Sequence, residues 1–265
     1  TLADFKAAMD DNFGAGLPRQ RVEAAARIAV AEAAKRGVTL TAADIESLIK
    51  KLLAPSVSPE KLRKYRALLA DINALPKFGN DIKDVDALAR AVAYTYTKPV
   101  ETYKNPRGGT FQAGLYPVSA NVPLGAQTGA TPDGRLKGMP VADGVSPAAG
   151  RDTLGPTAAF NSVARLDHLI ASNGTLLNQK FHPSALAGDR GLGKFAALIR
   201  AYFDQKGMHV QFNVVSRQTL LDAQTHPDNY RQLVVRVAGY SALFTSLSRA
   251  LQDDIISRTE QSIKQ

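Results

Sequence analysis

An α/β fold preceded by a helical segment is the class this sequence predicts, and three observations carry it. The first hundred residues place apolar side chains at helical spacing and punctuate them with capping residues. From residue 175 onward, short apolar or alternating runs interleave with helical patterns, the order that parallel strands and crossover helices require. Between the two, in residues 101–155, glycine and proline separate short apolar runs.

In chain order, residues 2–13 read as a short amphipathic helix. Residues 19–36, rich in alanine and alternating charge, form a second helix ending at Gly37, where a left-handed cap is expected. Thr41-Ala-Ala-Asp44 reads as a capping box that opens a helix to about Leu53, and Pro55 ends it. Ser58-Pro59-Glu60 supplies an N-cap, a proline at the first helical position and an early acid for a helix to about Ala74. A further helix covers residues 85–97.

Residues 101–155 are expected to be long loops. Loops of this length in a compact domain are usually functional or brace another region, and bracing is the role favoured here. Thr131-Pro-Asp-Gly-Arg135 is a turn by composition. A helix is then expected over 156–172, a buried strand over 175–181 and a helix over 192–206 stopped by Gly207. Met208, Val210, Phe212 and Val214 alternate with His209, Gln211, Asn213 and Val215, which is strand periodicity with one half-polar face. Ser216 caps a helix to His226, Pro227 breaks it, residues 233–238 form the next strand, and a last helix spans about 246–261. Strand, helix, strand, helix, strand implies parallel pairing with right-handed crossovers. Local sequence alone permits a doubly wound sheet.

Composition bounds the function. With 265 residues, 45% of them hydrophobic, the chain can bury one sizeable core or two small ones. No apolar run approaches the roughly 18 residues of a membrane span, and no signal-peptide pattern opens the chain, so a cytoplasmic location is expected. The complete absence of cysteine excludes disulfides and thiolate metal sites. A net charge of +9 raises nucleic-acid binding, but residues 1–100 carry 16 basic and 12 acidic groups and the rest 17 and 12, so the excess is spread rather than gathered into a phosphate-binding face. Lys61-Leu-Arg-Lys-Tyr-Arg66 is the one basic cluster, and helical spacing scatters it around the surface.

Gly188-Asp-Arg-Gly-Leu-Gly193-Lys194 has the spacing of a phosphate-binding loop, yet Phe195 stands where a hydroxyl should hold magnesium and the preceding residues make a poor strand. A glycine-rich helix entry is the better reading. His168, His182, His209 and His226 are too dispersed for a metal motif, and a hydrogen-bonded structural role is expected for each.

The most informative stretch is Arg236-Val237-Ala238-Gly239-Tyr240-Ser241-Ala242, preceded by the apolar run Leu233-Val234-Val235. It sets a bare glycine at a strand tip. Without a Cβ, glycine accepts backbone shapes that other residues resist and leaves its α-carbon open to close approach. A tight turn between two strands is one account. Storage of an unpaired electron at that α-carbon is the other: a glycine-centred radical can flatten and delocalise into both flanking amides.

The surrounding motifs favour the second. Gly114-Leu-Tyr-Pro-Val-Ser-Ala-Asn-Val-Pro-Leu-Gly-Ala-Gln-Thr-Gly-Ala-Thr-Pro-Asp-Gly-Arg135, Pro140-Val-Ala-Asp-Gly-Val-Ser-Pro147, Gly155-Pro-Thr157, Ser172-Asn-Gly-Thr-Leu-Leu-Asn-Gln-Lys-Phe-His-Pro183, His209-Val-Gln-Phe-Asn213 and Gln252-Asp-Asp-Ile-Ile-Ser-Arg-Thr-Glu260 occur in this order. Together they resemble the glycyl radical enzymes of the pyruvate formate-lyase-like superfamily. The resemblance is closest to the lyase branch of choline trimethylamine-lyase and the glycerol and propanediol dehydratases.

That resemblance implies part of a ten-stranded α/β barrel, with a helical segment at 1–100 carrying an insertion at about 14–74 and an α/β glycyl radical domain at 101–265. The radical glycine falls on Gly239, on a loop buried near the barrel centre, with Arg236, Val237, Ala238, Tyr240 and Ser241 supporting the loop. No cofactor is bound; a radical-SAM activating enzyme, using an iron-sulfur cluster and S-adenosylmethionine, installs the radical. The family passes the spin to an upstream cysteine and on to a small-molecule substrate, which loses a hydroxyl, amine or sulfonate group. This chain has no cysteine and opens on Thr1. It is therefore expected to be the C-terminal portion of a larger subunit, inactive alone, whose partners are the remaining N-terminal part, the activase and, in a homodimer, a second copy. Neither nucleic acid nor membrane is an expected partner. Anaerobic cytoplasm or a bacterial microcompartment would be its setting. A stand-alone radical-bearing spare part for a damaged enzyme, and a non-enzymatic basic helical binding module, are the alternatives.

Overall fold

The computed structural model describes residues 59–131 and 134–262. The expected helices at 2–13, 19–36 and 41–53, most of the insertion, and Pro132-Asp133 of the expected turn lie outside these residues. The chain divides into two compact units, Thr1–Asp71 and Ile72–Gln265. The described part of the first unit belongs to helix α1 (Pro59–Ala74); the expected cap at Ser58 lies outside the described residues.

The second unit opens with helix α2 (Lys83–Thr102), longer at both ends than the expected 85–97. Asp84 and Asp86 in its first turn complement the helix dipole, and Pro99, which removes one helical donor, stands in the last turn, so little helix follows it. Asp86 is buried and accepts from Arg165 Nη1 at 2.5 Å, while the other Arg165 nitrogen pairs with Asp81.

The long connection at 101–155 holds a short strand, β1 (Gly114–Leu115), and, where loop alone was expected, a short helix, α3 (Asn121–Gln127). Its proline and glycine suggested an irregular path. The helix forms because Pro123 sits in its first turn and Gly125 lets the backbone of Met139 and Pro140 pack directly against it.

Helix α4 (Pro156–Ala164) starts where expected but stops eight residues short of 172. Beyond it the chain folds back so that buried His168 engages Val163 O at 2.9 Å and Thr175 Oγ1 at 2.8 Å. The strand expected over 175–181 is broken in two. β2 (Gly174–Thr175) pairs parallel with β1, and β3 (Asn178–Phe181) belongs to another sheet. The intervening Leu176 and Leu177 are both buried: Leu176 O accepts from Val145 N and Leu177 O from Gln211 N, each at 2.9 Å. The bonds pull the chain from one sheet to the next.

Helix α5 (Gly188–Asp204) begins at Gly188, in keeping with a glycine-rich helix entry. β4 (Gln211–Val214) pairs parallel with β3 in full register, Asn178 opposite Gln211 through Phe181 opposite Val214. Ser216 Oγ accepts from Thr219 N at 3.0 Å and caps helix α6 (Arg217–Thr225), as read from the sequence.

β5 (Val234–Arg236) and β6 (Ser241–Leu243) form an antiparallel hairpin, which corrects the expectation of parallel pairing for the strand near 233–238. Helix α7 (Arg249–Ser257) is shorter than the expected 246–261, and the chain then returns as β7 (Glu260–Gln261), parallel to β3. The described strands thus make three small sheets, β1-β2, β4-β3-β7 and β5-β6. By themselves they do not close the ten-stranded barrel that the resemblance implies.

Two apolar clusters flank the central sheet. In the first, Phe160 stands edge-on to Tyr202 at 5.0 Å, and Phe212 contacts Phe160, Phe181 and Phe195. Burying a side chain such as Phe160, 1% exposed, stabilises the fold by about 1.5–3 kcal/mol. The second joins Leu220 of α6, Val235 and Val237 of the hairpin, Phe244, and Ile255 of α7.

Candidate functional site

The sequence-predicted residues occupy the tip of the β5-β6 hairpin. Val237 N donates to Tyr240 O at 2.9 Å, leaving Ala238 and Gly239 as a two-residue tip. Gly239 lies at φ +85°, a conformation that L side chains resist, and an added Cβ would meet only Leu176 Cδ1, at 3.5 Å. Val237 and Ala238 are buried, Tyr240 packs against the second apolar cluster, and Ser241 accepts from Arg236 Nη1 at 3.0 Å. Gly239 itself is exposed. Burial of this residue was expected, and the described residues do not supply it.

Beneath the tip lies a buried polar layer built from strands β3 and β4. Alternation places Phe181 and Phe212 on the aromatic core and turns Asn178, Lys180, Gln211 and Asn213 to the opposite face. That polar face is buried because the hairpin and α7 cover it. Gln211 Oε1 accepts from Gly239 N at 3.1 Å and from Arg236 Nη2 at 3.0 Å. Its Nε2 donates to Asn178 Oδ1, Asn178 Nδ2 donates to Asp143 Oδ2, and Ser146 Oγ accepts from Asn178 N at 2.9 Å. Asn213 brackets Arg236, donating to its carbonyl and accepting from its N–H, each at 2.8 Å.

Arg258, just past the end of α7, ties the hairpin from behind. Its Nη1 donates to Val237 O at 2.7 Å, its Nη2 pairs with Asp254 Oδ2 at 2.9 Å, and Asp143 Oδ2 lies 3.6 Å from its Nε. Asn121 of α3 donates to the other Asp254 oxygen at 3.1 Å. Burial pushes the Asp143 carboxyl up, against the pull of Arg258 and the Asn178 hydrogen bond. Lys180 Nζ donates to Ile256 O at 2.9 Å at the C-terminal end of α7, and burial lowers its pKa to about 8. A cavity of 240 Å³ opens beside this layer, lined by Asp143, Asn178, Lys180, Asp254 and Arg258 among others.

The bracing expected of the 101–155 loops has a concrete form. Gly144 sits at φ +66° with Leu176 O where a Cβ would stand, so the loop lies directly on the segment that contacts Gly239. Asp143 and Ser146 flank it and hold Asn178.

Of the four histidines, only His209 lies near the hairpin. Burial and Arg236 both lower its pKa, and its Nδ1 has no hydrogen-bond partner among the described residues. His168, His182 and His226 each hold local partners: Val163 and Thr175, Ser184, and Asp222. No group of three or more His, Asp or Glu among the described residues could hold a metal ion, and none of their helices is long and apolar enough to cross a membrane.

Sequence reading assigned no role to Asn121, Asp143, Asn178, Gln211, Asp254 or Arg258. Each nonetheless lies within one of the motif segments quoted above. For Asn178 and Gln211 the available signal was a polar side chain recurring at buried-strand positions; the other four lie outside strands.

Known proteins resemble this chain in sequence and in fold. Residues 141–245, which include the hairpin tip, match the family described as "Glycine radical", and residues 1–125 match "Pyruvate formate lyase-like". A structure concerning 1,2-propanediol dehydration in Roseburia inulinivorans is 67% identical with a TM-score of 0.76, over 77% of this chain and 26% of that one. The B12-independent glycerol dehydratase of Clostridium butyricum is 56% identical with a TM-score of 0.73, over 81% of this chain and 28% of that one. Trans-4-hydroxy-L-proline dehydratase of Clostridioides difficile is 43% identical over 83% of this chain and 27% of its own length. Decarboxylases also match, at lower identity. The chain thus spans about a quarter of the length of the relatives it matches. By these matches the chain belongs to the glycyl radical enzymes of the pyruvate formate-lyase-like family.

Proposed function

We propose that Gly239 stores an unpaired electron on its α-carbon, and that the complete protein is a glycyl radical dehydratase removing a hydroxyl group from a small polyol. One observation carries the reading of Gly239: at a hairpin tip a Cβ there would meet only Leu176 Cδ1, at 3.5 Å, while its amide is held from below by Gln211. Identities of 67% and 56% to proteins of propanediol and glycerol dehydration favour a polyol.

An activase of the radical-SAM class removes one hydrogen atom from Gly239. The radical then takes a hydrogen atom from a cysteine thiol elsewhere in the protein, since this sequence has none. The thiyl abstracts hydrogen from a hydroxyl-bearing substrate carbon; that carbon's hydroxyl gives up its proton and becomes a carbonyl, and the neighbouring hydroxyl takes up a proton and leaves as water. The product radical regains hydrogen from the thiol. In this reading β4-β3-β7 is part of the barrel wall, and the shelter that exposed Gly239 lacks here comes from the rest of the protein.

The test is anaerobic incubation of the complete protein with its activase, followed by electron paramagnetic resonance. A glycyl doublet, and chain scission at Gly239 on exposure to air, are expected. No doublet and no scission would overturn the assignment. Activated protein that carries the doublet but dehydrates neither 1,2-propanediol nor glycerol would overturn the polyol alone.

A further inference from the structure

We infer that Gln211 is a positioning residue for the radical, orienting the Gly239 peptide plane and polarising its N–H; this rests on the reading of Gly239 just given. Gln211 is 5% exposed, and its carboxamide orientation is set by its neighbours. The Asp143 carboxyl beside Arg258 accepts from Asn178 Nδ2, which leaves Asn178 Oδ1 as an acceptor for Gln211 Nε2. Gln211 Oε1 must then face the donors, and it meets Gly239 N–H at 3.1 Å and the Arg236 guanidinium at 3.0 Å. The relay runs from a carboxylate through two amides to the backbone nitrogen of Gly239. Each hydrogen bond in such a buried chain polarises the next.

A glycine-centred radical gains stability when the amide nitrogen on one side donates electron density and the carbonyl on the other withdraws it, which requires both peptide planes to lie close to the plane of the α-carbon. An acceptor fixed on the N–H makes the nitrogen a better donor and holds its plane. Gln211 does both from a buried strand that is paired in full register with β3. The rigid strand, rather than the exposed tip, sets the angle.

The experiment uses the complete activated protein, labelled with ¹⁵N at glycine, and reads the α-proton and ¹⁵N hyperfine couplings with the anaerobic lifetime of the radical. Gln211→Met, close in shape but with only a weakly accepting sulfur, is expected to shift both couplings and shorten the lifetime by about threefold to tenfold, the scale of one lost hydrogen bond. Gln211→Glu keeps an acceptor for the Gly239 N–H although it gives up the donor to Asn178, and should bring the couplings closer to the original than Gln211→Met does. A folded Gln211→Met variant with unchanged couplings and lifetime would overturn the inference. Unaltered protein exchanged into D₂O gives a check that needs no variant: the Gly239 amide deuteron should show the reduced quadrupole coupling of a hydrogen-bonded amide, and a free-amide value would equally overturn it. Absence of any doublet from unaltered protein strikes at Gly239 itself.

Discussion

Asn213 engages Arg236 as a neighbouring strand would: its Nδ2 donates to the Arg236 carbonyl and its Oδ1 accepts from the Arg236 N–H, both at 2.8 Å. A side-chain carboxamide thus replaces the rung that would otherwise join β4 to β5. Side chains of β4, Asn213 and Gln211, join the hairpin to the central sheet, Arg258 ties it to the end of α7, and no backbone ladder links β4 to β5.

Asn213→Leu should therefore loosen the hairpin more than the sheet. Two half-buried backbone groups of Arg236 lose these partners, at up to about 1–3 kcal/mol each. Hydrogen exchange should show the Arg236 amide losing protection while the amides of β3 and β4 keep theirs.

Arg258→Leu is expected to be among the most destabilising single changes in the described region. It removes the cation between Asp143 and Asp254, both 9% or less exposed, and frees Val237 O. Breaking a buried pair from one side costs about 3–5 kcal/mol. Arg258→Lys should recover little, because one ammonium cannot reach Val237 O and Asp254 in the guanidinium's fork geometry. Denaturant titration of the three proteins checks this.

Gly239→Ala should fold and carry no radical. The new methyl group meets Leu176 Cδ1 at an ordinary 3.5 Å, so the cost comes from holding alanine at φ +85°, about 1–2 kcal/mol. Thermal unfolding should show a modest loss, with no doublet after activation.

Lys180 makes stability depend on alkaline pH. Burial lowers its pKa from 10.5 to about 8, with Glu260 opposing and Arg217 and Arg258 adding. Between those values the unfolded chain holds a proton that the folded chain has released, so the folded state gains stability as pH rises through this window. Lys180→Met should flatten the slope of unfolding free energy between pH 8 and 10 by up to about 1.4 kcal/mol per pH unit.

Local features were legible where the cause was local. Ser216 was read as a cap and its hydroxyl accepts from Thr219 N, three residues on. The start of α4 at Pro156 and the alternation in β4 follow from the same short-range rules. The break at Leu176-Leu177 was not legible, because two adjacent apolar residues look alike whether they continue one strand or pass between sheets. The helix expected to run to 261 ends at Ser257, where Lys180, far away in sequence, meets its last carbonyls.

The sequence by itself determined that a glycine closes an apolar strand end, that the surrounding segments are those of the glycyl radical enzymes, and that no thiol is present. Tertiary structure alone decided which side chains hold that glycine, that the polar face of β4 is the covered one, and that the described residues leave Gly239 exposed. The reason lies in range. Caps and strand alternation act over a few residues, whereas Gly239 meets Gln211 across 28 positions, Asn178 meets Asp143 across 35, and Asn121 meets Asp254 across 133. Directional hydrogen bonds of that kind exist only once packing has brought the partners to within about 3 Å.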